Sequence, residues 1–313
     1  MEGILALSGG VGGAKLASGL AQIVPPSELL IVANTGDDFR HLGVPVSPDL
    51  DSVMYALAGL SDDIRGWGRS GETWHCMETL TSLGAPDWFQ LGDRDLATHI
   101  VRNQALLSGR SLTEATAELC QRLGVRHQLV PMSDQSVATT VHTDRGAMAF
   151  QHYFVREQCN PLLQSVSFEG AEDATYNSRI DDFLIDYGAA LVVICPSNPM
   201  LSIDPILALP KMRTLLENRP VMAVSPIVGG NAIKGPAAKI MGELGLPVSA
   251  VGIAEYYQGL VDVMVIDRVD EPLASNIEAL GMKVCVTDTL MTTSEKKRQL
   301  AQYMLEFVHY FDH

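Results

Sequence analysis

Lysine and arginine are few, 22 against 37 Asp and Glu with a formal net charge of -15, and the 313 residues hold no basic run longer than Lys296-Lys297-Arg298. A general nucleic-acid binder needs a basic stripe, so that class is excluded. No apolar stretch approaches the ~20 residues of a membrane span. The first residues lack a basic n-region and a cleavage site, and their apolar run turns early into glycines. The expected location is the cytoplasm, with neither nucleic acid nor membrane as partner. The five cysteines (Cys76, Cys120, Cys159, Cys195, Cys285) fall in no CxxC or zinc spacing, so reduced, mostly buried thiols are expected. There is no internal repeat and no low-complexity segment. What is present is 47% hydrophobic and 19% charged residues, the composition of a soluble globular enzyme with a large core.

The first fifty residues set the plan. Residues 3–7 form an apolar run, followed by Ser8-Gly9-Gly10-Val11-Gly12-Gly13, then Ala14-Lys15 and a helical pattern over 16–23 that ends at Pro25-Pro26. Residues 29–33 read as a buried parallel strand, ending in Asn34-Thr35-Gly36-Asp37-Asp38. Ser47-Pro48-Asp49-Leu50-Asp51 opens a helix. Residues 61–72 read as a mobile surface loop. Helices are predicted around 73–83, 93–107 and 113–123. Residues 126–131, 137–143 and 147–153 then alternate like short antiparallel strands. From residue 178 onward helices and buried strands alternate again. The predicted fold is one α/β domain over 1–313. It is doubly wound, with a mostly parallel Rossmann-like three-layer sheet. A lobe of helices and small antiparallel strands is inserted at 61–170.

The element ends carry the chemistry. The glycine motif fails GxGxxG, because Lys15 stands where the third glycine belongs, and it fails the Walker pattern too. Even so, the amides of Gly9, Gly10, Gly12 and Gly13 lie between strand and helix, where an anion meets amides and the positive end of a helix. Lys15 can reach the same anion. Asn34 lies past the second strand's carboxyl end, where open α/β sheets bind ligands. Asp37, Asp38, Asp49 and Asp51 are candidate ligands for Mg2+, a hard cation that prefers oxygen; the plainer reading is N-capping by Asp37 and Asp49. Arg94, in Gly92-Asp93-Arg94-Asp95, can offer its fork to a phosphate. His99, between Leu96 and Ile100, reads as a satisfied, half-buried imidazole. Ser197 and Asn198 follow one strong strand; Gly229, Gly230, Asn231 and Lys234 follow another. Both junctions suit a nucleotide, and the Asn side chains carry a donor and an acceptor for a base edge. Tyr256 and Tyr257 fit either the core or a planar ligand.

Taken in order, these motifs resemble the phospholactate transferase family of coenzyme F420 biosynthesis. The likeness continues in Pro131-Met132-Ser133-Asp134, Pro196-Ser197-Asn198-Pro199, Lys234-Gly235-Pro236, Ala254-Glu255-Tyr256-Tyr257 and Asp288-Thr289-Leu290-Met291. It covers nearly the whole chain. The resemblance implies an Mg2+-dependent transferase of substituted phosphate groups. Its donor would be a GDP-linked three-carbon acid such as lactyl-diphospho-guanosine, with phosphoenolpyruvate and phosphoglycerate counterparts. Its acceptor would be the deazaflavin Fo, with GMP released. It matches Asp51 and Arg94 to positions tied to the Fo site, which makes them the expected catalytic residues, and it implies a homodimer. A second family with the same glycine opening supplies the alternative, a metabolic regulator that binds nucleotide sugars. A dehydrogenase reading fails because Asn34 occupies the place of a ribose-binding acid.

Overall fold

The computed structural model describes residues 3–62, 64–188, 190–233 and 235–309. Seven short runs form its centre: β1 (Ile4–Ser8), β2 (Leu29–Ala33), β3 (Gln128–Pro131), β4 (Leu191–Ile194), β5 (Val221–Val224), β6 (Val263–Asp267) and β7 (Lys283–Thr287). They pair in the order β7-β6-β5-β4-β1-β2-β3, every pair parallel. Strands buried on both faces read as continuous apolar runs, which is why they are visible in the sequence. Alternate side chains feed two cores. Leu5, Leu7, Leu30, Val32 and Ile194 enter one, and Ile4, Ala6, Leu29, Ile31 and Val193 enter the other. This is the three-layer arrangement the sequence predicts.

Helices α1 (Gly10–Leu20) and α2 (Pro48–Leu57) pack together on one face of the sheet, and the terminal helix Ser294–His309 lies against α1. Helix α3 (Asp93–Leu107) and helix α4 (Leu112–Arg122) follow, with α4 packed on β3, so the stretch 61–170 includes a strand of the central sheet. A capping box starts α4: Ser111 accepts from the Glu114 amide, and Glu114 accepts from the Ser111 amide. Among the described residues, no helix is long and apolar enough to cross a membrane.

Two expectations need correction. The run 126–131 is not antiparallel; β3 is the parallel edge strand beside β2. Ala138–Thr143, Gly146–Ala149 and Leu163–Glu169 do form a small antiparallel sheet, but 150–153 leave it for a helical turn. Around the loop at 61–72, residues 61 and 69 form an isolated bridge, and the Ser70 amide donates to the Leu60 carbonyl at 2.8 Å. The described residues of that loop lie at the surface, and Gly66, Trp67 and Gly68 line the cleft described below.

Strand order reverses between β1 and β4, since the chain runs from β1 outward to β3 and then returns to β1's other side. In open α/β sheets the crevice outside the carboxyl ends at such a point holds the ligand. Here those ends lead into Gly9 and Pro196-Ser197-Asn198.

Candidate active site

The glycine motif is not a loop ahead of the helix; it is the first turn of the helix. Gly9 is extended, and α1 starts at Gly10, whose φ is 64°. Close approach explains the other glycines. A Cβ on Gly12 would strike the Pro196 carbonyl, and one on Gly13 would stand 2.7 Å from Ser197 Oγ. Ser197 closes the junction: its Oγ accepts from the Gly9 amide at 3.1 Å and donates to the Gly9 carbonyl at 2.7 Å. The amino end of α1 is thereby clamped to the end of β4.

A carboxylate sits on that helix end. Asp49 Oδ1 accepts from the Gly10 amide at 2.7 Å, and its Oδ2 accepts from Asn34 Nδ2 at 3.0 Å. Asp49 belongs to the first turn of α2, so one helix caps another. Burial pushes Asp49 up to about 6, against the pull of those two donors. Burial, with the charge of Asp49 next, pushes Asp37 well above the usual carboxylate range. Burial does the same to Asp38, whose Oδ2 accepts from Ser47 at 2.6 Å. Asp37 Oδ1 and Asp38 Oδ1 are buried without a hydrogen-bond partner among the described residues.

These acids set a pH dependence. The folded value of Asp49 lies above its unfolded value, so folding favours the protonated form. That contribution is full below about pH 4 and is lost as pH rises through about 6. In EDTA, the protein should therefore gain stability as pH falls from 7.5 to 5, about 1.4 kcal/mol per pKa unit, and its melting temperature should rise with it. Asp49→Asn should flatten the slope. A wild-type melting temperature that falls steadily over this range would refute the assignment.

The third group joins α2 to α3. Asp95, His99 and Arg102 lie on one face of α3, opposite Asp51 and Tyr55 of α2. Arg102 makes a two-pronged bond to Asp51, with Nη1 to Oδ2 at 3.0 Å and Nη2 to Oδ1. Tyr55 donates to Asp95 Oδ1 at 2.7 Å. His99, 1% exposed, lies between the acids: Nδ1 is 3.6 Å from Asp51 and Nε2 is 3.5 Å from Asp95. Burial raises Asp95, but contacts with His99, Tyr55 and Arg102 outweigh it and hold the carboxyl below its ordinary value. Burial and the neighbouring Asp51 and Asp95 charges push the Tyr55 phenol up. Asp51, Asp95 and His99 each bring a ligand atom within 4.8 Å of the others.

All three groups border one cleft of about 590 Å3. Of the expected residues, Gly9, Gly10, Gly12 and Lys15 line it, as do Asp37, Asp49, Asp51, Ser197 and Asn198. Gly13 packs behind the wall, and Asn34 is buried beneath Asp49. Asn198 differs from expectation. Its Oδ1 accepts from the amides of Met200 and Leu201, so the side chain keeps only its donor for a ligand. Arg94 is exposed and off the cleft wall, with Nη1 on the Ser70 carbonyl at 3.4 Å; its neighbour Asp95 takes the cleft position. Gly229, Gly230 and Asn231 form an exposed hairpin turn off the wall, with Asn231 donating to Gly229. Lys234 lies outside the described residues, between the lining residues Ile233 and Gly235. Asp38 is turned to Ser47. Tyr256 is tied to Asp204, and Tyr257 is buried in the core, so neither meets the cleft.

Two features escape the sequence reading. One is the polar face of α3, whose i, i+4, i+7 spacing was there to be read. The other is an aromatic wall of Trp67, Trp88, Phe89, Phe150 and Phe154, scattered along the chain without a common spacing. All five cysteines are free, four of them buried.

The comparisons with known proteins agree with this architecture. The 2-phospho-L-lactate transferase CofD family model matches residues 4–304. A 2-phospho-L-lactate transferase of Methanosarcina acetivorans is 42% identical over 96% of this chain and 98% of its own length. A phosphoenolpyruvate transferase of Streptomyces coelicolor is 38% identical over 96% of this chain and 97% of its own. Among solved structures, a UPF0052-family protein of Bacillus halodurans superposes with a TM-score of 0.61 at 15% identity, over 97% of this chain and 98% of that one, a likeness of fold. Matched along nearly its whole length, with its glycine end, acids and α3 bordering one cleft, the chain belongs to the 2-phospho-L-lactate transferase CofD family and is a transferase.

Proposed function

We propose that the protein works in coenzyme F420 biosynthesis. It moves a phospho-three-carbon-acid group from a GDP-linked donor, such as lactyl-diphospho-guanosine, to the deazaflavin Fo, and releases GMP. The observation that carries this reading is a single cleft with two unlike ends. One end has helix amides, Lys15 and carboxylates, which suit a diphosphate with a cation. The other is aromatic, which suits a planar heterocycle. The transferase names among the relatives weigh against the nucleotide-sugar regulator.

The four expected acids divide by what they already hold. Asp38 is turned to Ser47 and off the wall; Asp51 lines the cleft but is forked by Arg102; Asp37 and Asp49 line it without a cationic partner, Asp49 accepting only from the Gly10 amide and Asn34. An unpaired buried carboxylate oxygen on Asp37 and the mutual repulsion of Asp37 and Asp49 fit a hard cation, so these two would hold Mg2+. When bound, the ion supplies charge neutralisation at the diphosphate oxygens. Phosphoryl transfer depends on such positioning and electrostatics rather than on covalent help. The amides of α1 and Lys15 bind the diphosphate, and the Asn198 amide donates to it. The ribityl hydroxyl of Fo accepts orientation from Asp51. Its oxygen bonds to the phosphorus bearing the acid, the bond from that phosphorus to GMP breaks, and the hydroxyl proton leaves to solvent or to the GMP phosphate.

The test is direct. Incubated with Fo, lactyl-diphospho-guanosine and Mg2+, the protein should release GMP only when Fo is present. Equal release without Fo, or none at all, would overturn the proposal. With donors carrying lactate, enolpyruvate and glycerate mixed, mass spectrometry of the product identifies the acid used. The names phospholactate and phosphoenolpyruvate transferase at 42% and 38% identity make that choice the next question.

A further inference from the structure

Arg102 is 1% exposed and is the largest side chain sealed inside the protein among the described residues. It stands behind the cleft wall that Asp51, Tyr55, Asp95 and His99 form. Its Nη1 and Nη2 take both oxygens of Asp51, and Nη1 also meets His99 Nδ1 at 3.2 Å. A guanidinium has only donors. The contact therefore requires an unprotonated Nδ1 and places the imidazole hydrogen on Nε2, which faces Asp95 Oδ2 at 3.5 Å. Tyr55 completes the chain by donating to the other oxygen of Asp95. Stability alone is a poor reason for this arrangement, because apolar residues of similar volume commonly do as well as a buried ion pair or better. What the fork supplies is direction: it fixes the carboxylate plane of Asp51, which a point charge cannot do.

We propose that Arg102 is a positioning residue of the transfer, holding Asp51 at one angle toward the acceptor hydroxyl and His99 in its Nε2–H tautomer. The inference rests on the proposed role of Asp51. Arg102→Lys keeps the charge and removes the fork. In this variant, kcat for Fo-dependent GMP release should fall about 100-fold, the loss expected of a misplaced reacting group. The KM for the GDP-linked donor should stay within about threefold, since the donor is gripped at α1 and not at this seam. A salt bridge of purely structural importance would be rescued by lysine. Nitrogen-15 NMR of the histidine rings supplies a second readout on the wild-type protein, which keeps the proposal testable if the variant fails to fold. His99 should show the Nε2–H tautomer, and the Arg102→Lys variant, where folded, should lose that preference.

An Arg102→Lys enzyme turning over within about threefold of wild type would overturn the proposal. So would an Nδ1–H tautomer of His99 in the wild-type protein. The two readings separate cleanly. An active Asp51→Asn enzyme sinks the role of Asp51 and this inference with it. An inactive Asp51→Asn beside an active Arg102→Lys sinks this inference alone.

Discussion

Asp51→Asn should lower Fo-dependent GMP release by about 1,000-fold, the scale of losing one preorganised electrostatic group. The same substitution should destabilise the fold. Asp51 is 5% exposed and pairs with Arg102 at 1%. Removing one partner of a buried pair leaves an uncompensated charge and costs about 3–5 kcal/mol. Asparagine retains one acceptor oxygen, so the low end of that range is expected. Lost activity and lost stability could be confused, and a double variant separates them. Asp51→Asn with Arg102→Met removes both charges, so its denaturant midpoint should recover much of the loss while GMP release stays low. Recovery of activity along with stability would mean that Asp51 serves folding and not transfer.

Gly12→Ala should be the second large effect. The added methyl points at the Pro196 carbonyl. Both groups are backbone, one in α1 and one beyond β4, so no flexible side chain can yield. Overpacking of this kind costs about 1–3 kcal/mol. The helix end must retreat from the β4 loop, which breaks the paired Gly9–Ser197 hydrogen bonds. The KM for the GDP-linked donor should rise at least about tenfold, equivalent to about 1.4 kcal/mol of lost binding. Gly10→Ala is the informative contrast. Open space surrounds its missing Cβ, but its φ is +64°, so its loss is backbone strain of about 1–2 kcal/mol and no collision. Equal, small effects on donor KM in both variants would refute the clamp.

The central sheet was legible because its strands are buried on both faces and read as unbroken apolar runs. β3 was misread because four residues at a sheet edge are too few to show a period. The hairpin Phe39–His41 with Val44–Val46 left no signal at all. Its turn needs φ of 50° at Leu42 and 81° at Gly43, and leucine does not announce a left-handed backbone. The site divided in the same way. Glycines, acids and Ser197 follow strand ends and could be placed by the rule for open sheets. Arg94 drew attention as a charge at a helix start, yet the helix turns it outward and brings Asp95, His99 and Arg102 inward. The aromatic wall comes from three separate stretches of chain, which only the folded backbone unites.

Helix α2 carries one acid to each side. Asp49 reaches the end of α1 and Asp51 reaches Arg102. Two positions apart, they point about 160° away from each other around the axis. The helix is thus a common axle: rolling it would carry one carboxylate forward as the other withdraws. On the roles proposed for the two acids, the grip on the donor and the aim at the acceptor are coupled through α2. Separate adjustment would then come from the parts it touches, the sheet ends on one side and α3 on the other.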